Sequence, residues 1–126
     1  MSQRTPLARV RGLGSAKGGT DHFWKQRLTA VSNVFLVGFL IVLVAKLAGQ
    51  DHAAVRRALA QPYVAIPILL LVISGVVHMR LGMQTIIEDY VHSEGAKVAA
   101  LMLNSFFAIA VGLTCAFAVV KLSLGT

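Results

Sequence analysis

The residues of this chain best suited to chemistry lie in one stretch, Ser74 to His92, SGVVHMRLGMQTIIEDYVH. His78 is the only histidine well inside an apolar segment. Gly82 follows four residues later, and the acidic-aromatic pair Asp89–Tyr90 comes near the end. On an α-helix, at about 100° per residue, Asp89 returns to within about 20° of His78 and lies about 16 Å further along the axis; Gly82 stands about 40° from His78. One face therefore carries Ser74, His78, Gly82, Thr85 and Asp89. A buried imidazole with a gap beside it, above a polar patch at a membrane edge, is what a haem and a nearby polar ligand site need.

Each of these residues also has a plainer reading. A histidine inside a membrane is costly and faces a bundle interior or a cofactor. It can hydrogen-bond Ser74 or a neighbouring helix, ligate a haem iron, or relay a proton. Gly82 gives a flat porphyrin room one turn from the ligand, or simply lets two helices approach closely. Asp89 and Tyr90 fit a helix end wetted by lipid headgroups. They equally fit a site for a quinone, whose tail needs lipid and whose head needs a donor such as a phenol, with a carboxylate to orient it or relay a proton. Arg80 falls about 200° around the helix from His78. It reads as a side chain snorkelling to the interface, or as a contact to a partner chain or a cofactor carboxylate.

The rest of the chain must hold that stretch in a membrane. Of 126 residues, 56% are hydrophobic and 13% charged, and the mean hydropathy is +0.73. So few charges do not make a water-facing surface, which excludes a soluble domain. Twelve Lys and Arg against five Asp and Glu give a formal charge of +7. Beside apolar spans, such residues mark the cytoplasmic side rather than a nucleic-acid partner. Cys115 is the only cysteine and lies in an apolar run, where it reads as a packing residue.

Three apolar spans are expected, at about 28–48, 62–87 and 96–122, with residues 1–27 as an irregular cytoplasmic arm and 28–126 as the anchor domain. Twenty-one residues from 28 to 48 cover about 31 Å, enough for the hydrocarbon core. Phe23 and Trp24 suit interfacial anchors before the first span. Gly49 to Gln61 and Glu88 to Gly95 read as loops, the second broken by Gly95. Pro62 suits a helix start, and Pro67 a kinked or tightened first stretch. Ala108, Gly112 and Ala116, at four-residue spacing, allow close helix contact. GLGSAKGG in the arm lacks the spacing of a phosphate loop, and the basic N-terminal stretch lacks a signal-peptide cleavage site. Six basic residues before the first span (Arg4, Arg9, Arg11, Lys17, Lys25, Arg27) against three after it (Lys46, Arg56, Arg57) place the N-terminus in the cytoplasm. Asp89 and Tyr90 then lie on the same side. The other histidines, His22, His52 and His92, lie at or beyond span ends, so a six-coordinate haem needs its second ligand from another chain.

The pattern His78, Gly82, Met83, Asp89, Tyr90, Val91, preceded by HFWKQRLTA with Arg27 just before the first span, resembles the hydrophobic membrane anchor of succinate dehydrogenase, the succinate:quinone oxidoreductase. The resemblance covers most of the chain from about His22 onward. It departs from some members in Gln84, where they carry an aromatic, and in the charged Arg80. It implies an all-α membrane protein whose three helices pack with those of a partner anchor subunit. It implies that His78 is an axial ligand of a haem b shared with that subunit, with Gly82 packing against the haem and Arg27 near its propionates. It implies that Tyr90, with Asp89 beside it, binds ubiquinone. Electrons would come from an iron–sulfur subunit fed by a flavoprotein subunit, in a bacterial inner membrane. The chain has no dinucleotide fingerprint and no cysteine cluster, so it is not catalytic alone. The rival readings are a small transporter, disfavoured because no intramembrane carboxylate pairs with His78 or Arg80, and a cofactor-free membrane scaffold.

Overall fold

The computed structural model describes residues 5–10 and 18–125. Five helices follow in order: α1 (Pro6–Val10), α2 (Gly18–Leu47), α3 (His52–Leu59), α4 (Pro62–Tyr90) and α5 (Glu94–Ser123). The glycine-rich segment of the arm up to Lys17 lies outside the described residues.

The three long helices are apolar enough to cross a membrane: Gly19–Leu47, Pro62–Tyr90 and Glu94–Ser123. Each runs past the bounds that hydropathy suggests. Apolar content stops where the hydrocarbon stops, but a helix goes on satisfying its backbone internally into the headgroup zone. At 1.5 Å per residue, the 30 residues of α2 reach about 45 Å, well beyond the roughly 30 Å hydrocarbon core. The part of the arm from Gly18 is therefore helix, not irregular chain.

Two expected loops are also corrected. Gly49 to Gln61 contains α3. Gly49 ends α2 in the left-handed region, φ 77°, which suits glycine. Asp51 then caps α3, its carboxylate accepting from Ala54 N at 2.6 Å. Arg56 of α3 donates to Gly125 O at 3.1 Å and ties this end to the C-terminal turn. In the other expected loop, Glu88, Asp89 and Tyr90 form the last turn of α4, and Gly95 lies in the first turn of α5 rather than breaking it. Glu94 precedes it there, where a negative charge suits the helix dipole.

α4 is the central element. α2 packs on one side of it and α5 on another, while α3 touches α4 and α5 near the end opposite Tyr90. Pro62 stands at the start of α4, and the helix carries Pro67 without interruption. The small-residue stripe of α5 faces α4: Ala108 is buried, and a Cβ on Gly112 would stand 3.4 Å from a methyl of Val76. Among the described residues, only Val64, Ala65, Ile87 and Ala108 are buried apolar residues, and no polar one is fully buried. Large apolar side chains line the outside, from Val34 and Phe35 on α2 to Leu113 and Phe117 on α5. Such a surface suits lipid and further helices.

Candidate functional site

The candidate residues converge where α2 crosses α4. His22, Gln26, Thr29 and Asn33 recur at steps of four, three and four, which is one stripe of a helix. That stripe meets Ser74, His78 and Gly82 of α4. Thr29 Oγ1 lies 3.2 Å from His78 Nδ1. Ser74 Oγ donates to Thr29 O at 3.4 Å. A Cβ on Gly82 would stand 3.3 Å from Gln26 Nε2. The result is a polar seam between two membrane helices, with the His78 ring half-buried in it.

The seam is only partly satisfied from within. Thr29 Oγ1 donates back to Lys25 O at 2.8 Å and also lies 3.1 Å from Gln26 O. His22 Nε2, Gln26 Oε1 and Asn33 Oδ1 are sealed from solvent and lack a hydrogen-bond partner. A sealed polar atom without a partner costs about 1–3 kcal/mol, so these three invite a water or a group from another molecule. The sequence pattern exposes the α4 half of this seam. It does not expose the α2 half, for which the 4-3-4 spacing of polar residues is the signal.

Gly82 therefore does not face empty space within this chain, because the Gln26 amide occupies it. That amide is the end of a flexible side chain with its oxygen unpartnered. His78 Nε2 has no hydrogen bond among the described residues. No group of three or more His, Cys, Asp or Glu side chains gathers to hold a metal ion among them either. The donor set in this chain is a single imidazole nitrogen. Such a donor could serve as a single nitrogen ligand to a haem iron, and a further ligand would have to come from outside the described residues.

Arg27 is not brought onto His78. It leaves α2 about 200° around from Thr29, and its guanidinium stacks over the Phe23 ring at 4.4 Å, exposed. Phe23 in turn meets Trp24 edge-to-face, ring centroids 5.8 Å apart. Arg27 shares with His78 its level along the bundle, two residues from Thr29, but not its direction.

Asp89 and Tyr90 sit in the last turn of α4, both exposed, with Tyr90 77% open. Asp89 continues the His78 stripe, while Tyr90 turns about 100° away from it. Neighbouring Glu88 accepts from Gln84 Nε2 at 2.8 Å. Arg80 lies on the α5 side, its Nε donating to Ser105 Oγ at 3.3 Å while Asn104 Nδ2 donates to Arg80 O at 3.0 Å. Arg80 is thus a polar tie between α4 and α5, set apart from the seam.

The family model for the succinate dehydrogenase/fumarate reductase transmembrane subunit matches residues 1–116. The chain is 31% identical over 121 residues to the succinate dehydrogenase hydrophobic membrane anchor subunit of Paracoccus denitrificans, covering 96% of this chain and 93% of that one. It is 30% identical over 106 residues to the succinate dehydrogenase hydrophobic membrane anchor subunit of Rickettsia bellii, covering 84% and 85%. It is 32% identical over 96 residues to the succinate dehydrogenase membrane anchor subunit of Reclinomonas americana, covering 74% and 80%. No solved structure matches.

Proposed function

Because this chain belongs to the succinate dehydrogenase/fumarate reductase transmembrane subunit family, we propose that it anchors a succinate dehydrogenase to the membrane, holding one side of a haem b and one wall of a ubiquinone site. The observation that carries the reading is His78: a half-buried imidazole in the α2–α4 seam, its Nε2 unclaimed, on a helix whose last turn presents an exposed acid and phenol.

His78 would hold the haem iron through Nε2, with a further ligand from a second anchor chain. Gly82, one turn along, leaves the macrocycle room once the Gln26 amide swings aside. Arg27, exposed at the same level, would have to leave the Phe23 ring to offer a cation to the propionates. Bound there, the haem group would supply one-electron transfer. At the end of α4, the Tyr90 hydroxyl donates to a quinone carbonyl oxygen, and Asp89 orients it or hands on a proton. Reduction of the quinone to the quinol takes two electrons and two protons. The electrons come from an iron–sulfur partner at the Tyr90 end, itself fed by a flavoprotein. The N-terminus, with Lys25 and Arg27, lies on the cytoplasmic face of a bacterial inner membrane, and so does Tyr90.

The test uses the assembled complex. His78→Ala abolishes or shifts the haem absorption bands; unchanged bands eliminate His78 as a ligand, and a wild-type complex without haem bands reduces the chain to an anchor that holds no haem. Tyr90→Phe removes one hydrogen bond, about 0.5–1.5 kcal/mol. Quinone reduction then falls by about two- to tenfold, while succinate oxidation by a soluble artificial acceptor is retained. If quinone reduction stays at the wild-type rate, Tyr90 is not at the quinone.

A further inference from the structure

We infer that Thr29 is a positioning residue for the metal ligand: its hydroxyl oxygen accepts the Nδ1 proton of His78, fixing the ring as the tautomer whose Nε2 is free to bind iron. The inference rests on the haem-ligand reading of His78 and deepens it.

The hydrogen-bond bookkeeping around one oxygen carries the argument. A threonine hydroxyl has one proton to give and lone pairs with which to accept. Thr29 Oγ1 has two backbone carbonyls of its own helix close by, Lys25 O at 2.8 Å and Gln26 O at 3.1 Å. Both are nearer than the His78 ring nitrogen at 3.2 Å. The hydroxyl proton is committed to those carbonyls, as is usual for threonine inside a helix. What the oxygen still offers to His78 is a lone pair. The ring answers with Nδ1–H, and a neutral imidazole protonated at Nδ1 carries its lone pair on Nε2.

The same residue fixes the ring's place as well as its tautomer. The Thr29 carbonyl accepts from Ser74 Oγ at 3.4 Å, one turn of α4 before His78. Thr29 thus grips α4 at two successive turns, through its side chain and through its backbone. The ring cannot rotate about its Cβ–Cγ bond without giving up the Oγ1 contact. Preorganisation of this kind is what an outer partner of a ligating histidine supplies: it orients the ring and raises its basicity. A more basic imidazole favours the ferric over the ferrous iron, so loss of the bond raises the midpoint potential of the haem. The partner is a neutral hydroxyl, not a carboxylate, so the effect is moderate.

The experiment compares Thr29→Val, which keeps the shape and removes the oxygen, with Thr29→Ser, which keeps the oxygen, in the intact complex purified with its partner chains. Haem content after graded detergent washing and the midpoint potential from a redox titration are the readouts. Thr29→Val is expected to weaken haem retention about 10- to 100-fold and to raise the potential of the haem that stays. Thr29→Ser is expected to restore both. Wild-type retention and potential in Thr29→Val overturn the inference. If Thr29→Val does not assemble, Thr29→Cys, whose sulfur is a weak acceptor, replaces it: a raised potential supports the inference and a wild-type potential overturns it. His78→Ala in the same series separates the two failures. If it loses the haem while Thr29→Val is unaffected, only the role of Thr29 falls; if it too keeps wild-type bands, the ligand assignment falls first.

Discussion

On its α5 side, α4 is met by small and apolar side chains; on its α2 side it is met by polar ones. The α4–α5 contact closes over Ala108, 1% exposed, and over Gly112, set against the methyls of Val76. Its polar members are satisfied: Arg80 with Ser105, and Asn104 with the Arg80 carbonyl. The α2–α4 contact holds His22, Gln26, Thr29 and Asn33 against Ser74, His78 and Gly82, and leaves three sealed polar atoms without partners. In lipid, close packing of small residues suffices to hold helices together, whereas unpartnered polar groups work against it. The α4–α5 pair is thus built for stability. The α2–α4 pair gives up stability to keep two imidazoles, two amides and two hydroxyls along one seam, which is a sign of function rather than of packing.

The largest effect that tests this contrast comes from filling the α4–α5 contact. A Cβ at Gly112 already reaches ordinary contact with Val76 at 3.4, 3.5 and 3.8 Å. Leucine there adds three further carbons at the α4–α5 contact, beside the stiff, β-branched side chain of Val76. Gly112→Leu is expected to destabilise the bundle by about 1–3 kcal/mol, read as a lower midpoint in thermal denaturation of the detergent-solubilised complex. On the proposed reading of His78 as a haem ligand, the haem bands of the surviving complex are expected to stay at their wild-type positions, because Gly112 lies outside the seam. A shift of those bands would show that the two contacts are coupled and that the division of labour is wrong.

The two contacts are not equally legible in the sequence. The α5 stripe of Ala108, Gly112 and Ala116 announces itself, because small residues four apart inside an apolar run have few other uses. The α4 half of the seam is legible for the opposite reason: a histidine within an apolar run is expensive. The α2 half is hidden by its position. His22 and Gln26 precede the first apolar run, in the stretch expected to be an irregular arm. Only the continuation of α2 back to Gly18 brings them onto the Thr29–Asn33 stripe. Hydropathy cannot reveal that continuation, since it measures lipid contact, whereas the backbone hydrogen bonds that extend the helix are indifferent to side-chain polarity. Helix α3 escapes for a related reason. Eight residues with two arginines average out as a polar loop, and the one local clue is Asp51 placed to cap Ala54. Arg80 reads first as a snorkelling cation and otherwise as a contact to a partner chain or a cofactor carboxylate; its bond to Ser105 is not legible because it joins residues 25 apart in the chain.

A smaller change sharpens the contrast from the seam side. Gly82→Ala adds a single carbon that would stand 3.3 Å from Gln26 Nε2. Unlike Val76, the obstructing group is the tip of a flexible side chain, and its amide oxygen has no partner to hold it. Moving it by a few tenths of an ångström costs little. Alanine in place of glycine inside a helix contributes up to about 1 kcal/mol. Gly82→Ala is therefore expected to leave the thermal midpoint of the complex unchanged or slightly raised, in contrast to Gly112→Leu. On the proposed haem-ligand reading, a methyl one turn from His78 would narrow the room for the macrocycle, so haem content is expected to fall or the bands to shift while the fold is undisturbed. Wild-type bands with a raised midpoint would mean that Gly82 serves only the approach of Gln26, and that the macrocycle lies on a different side of the His78 ring.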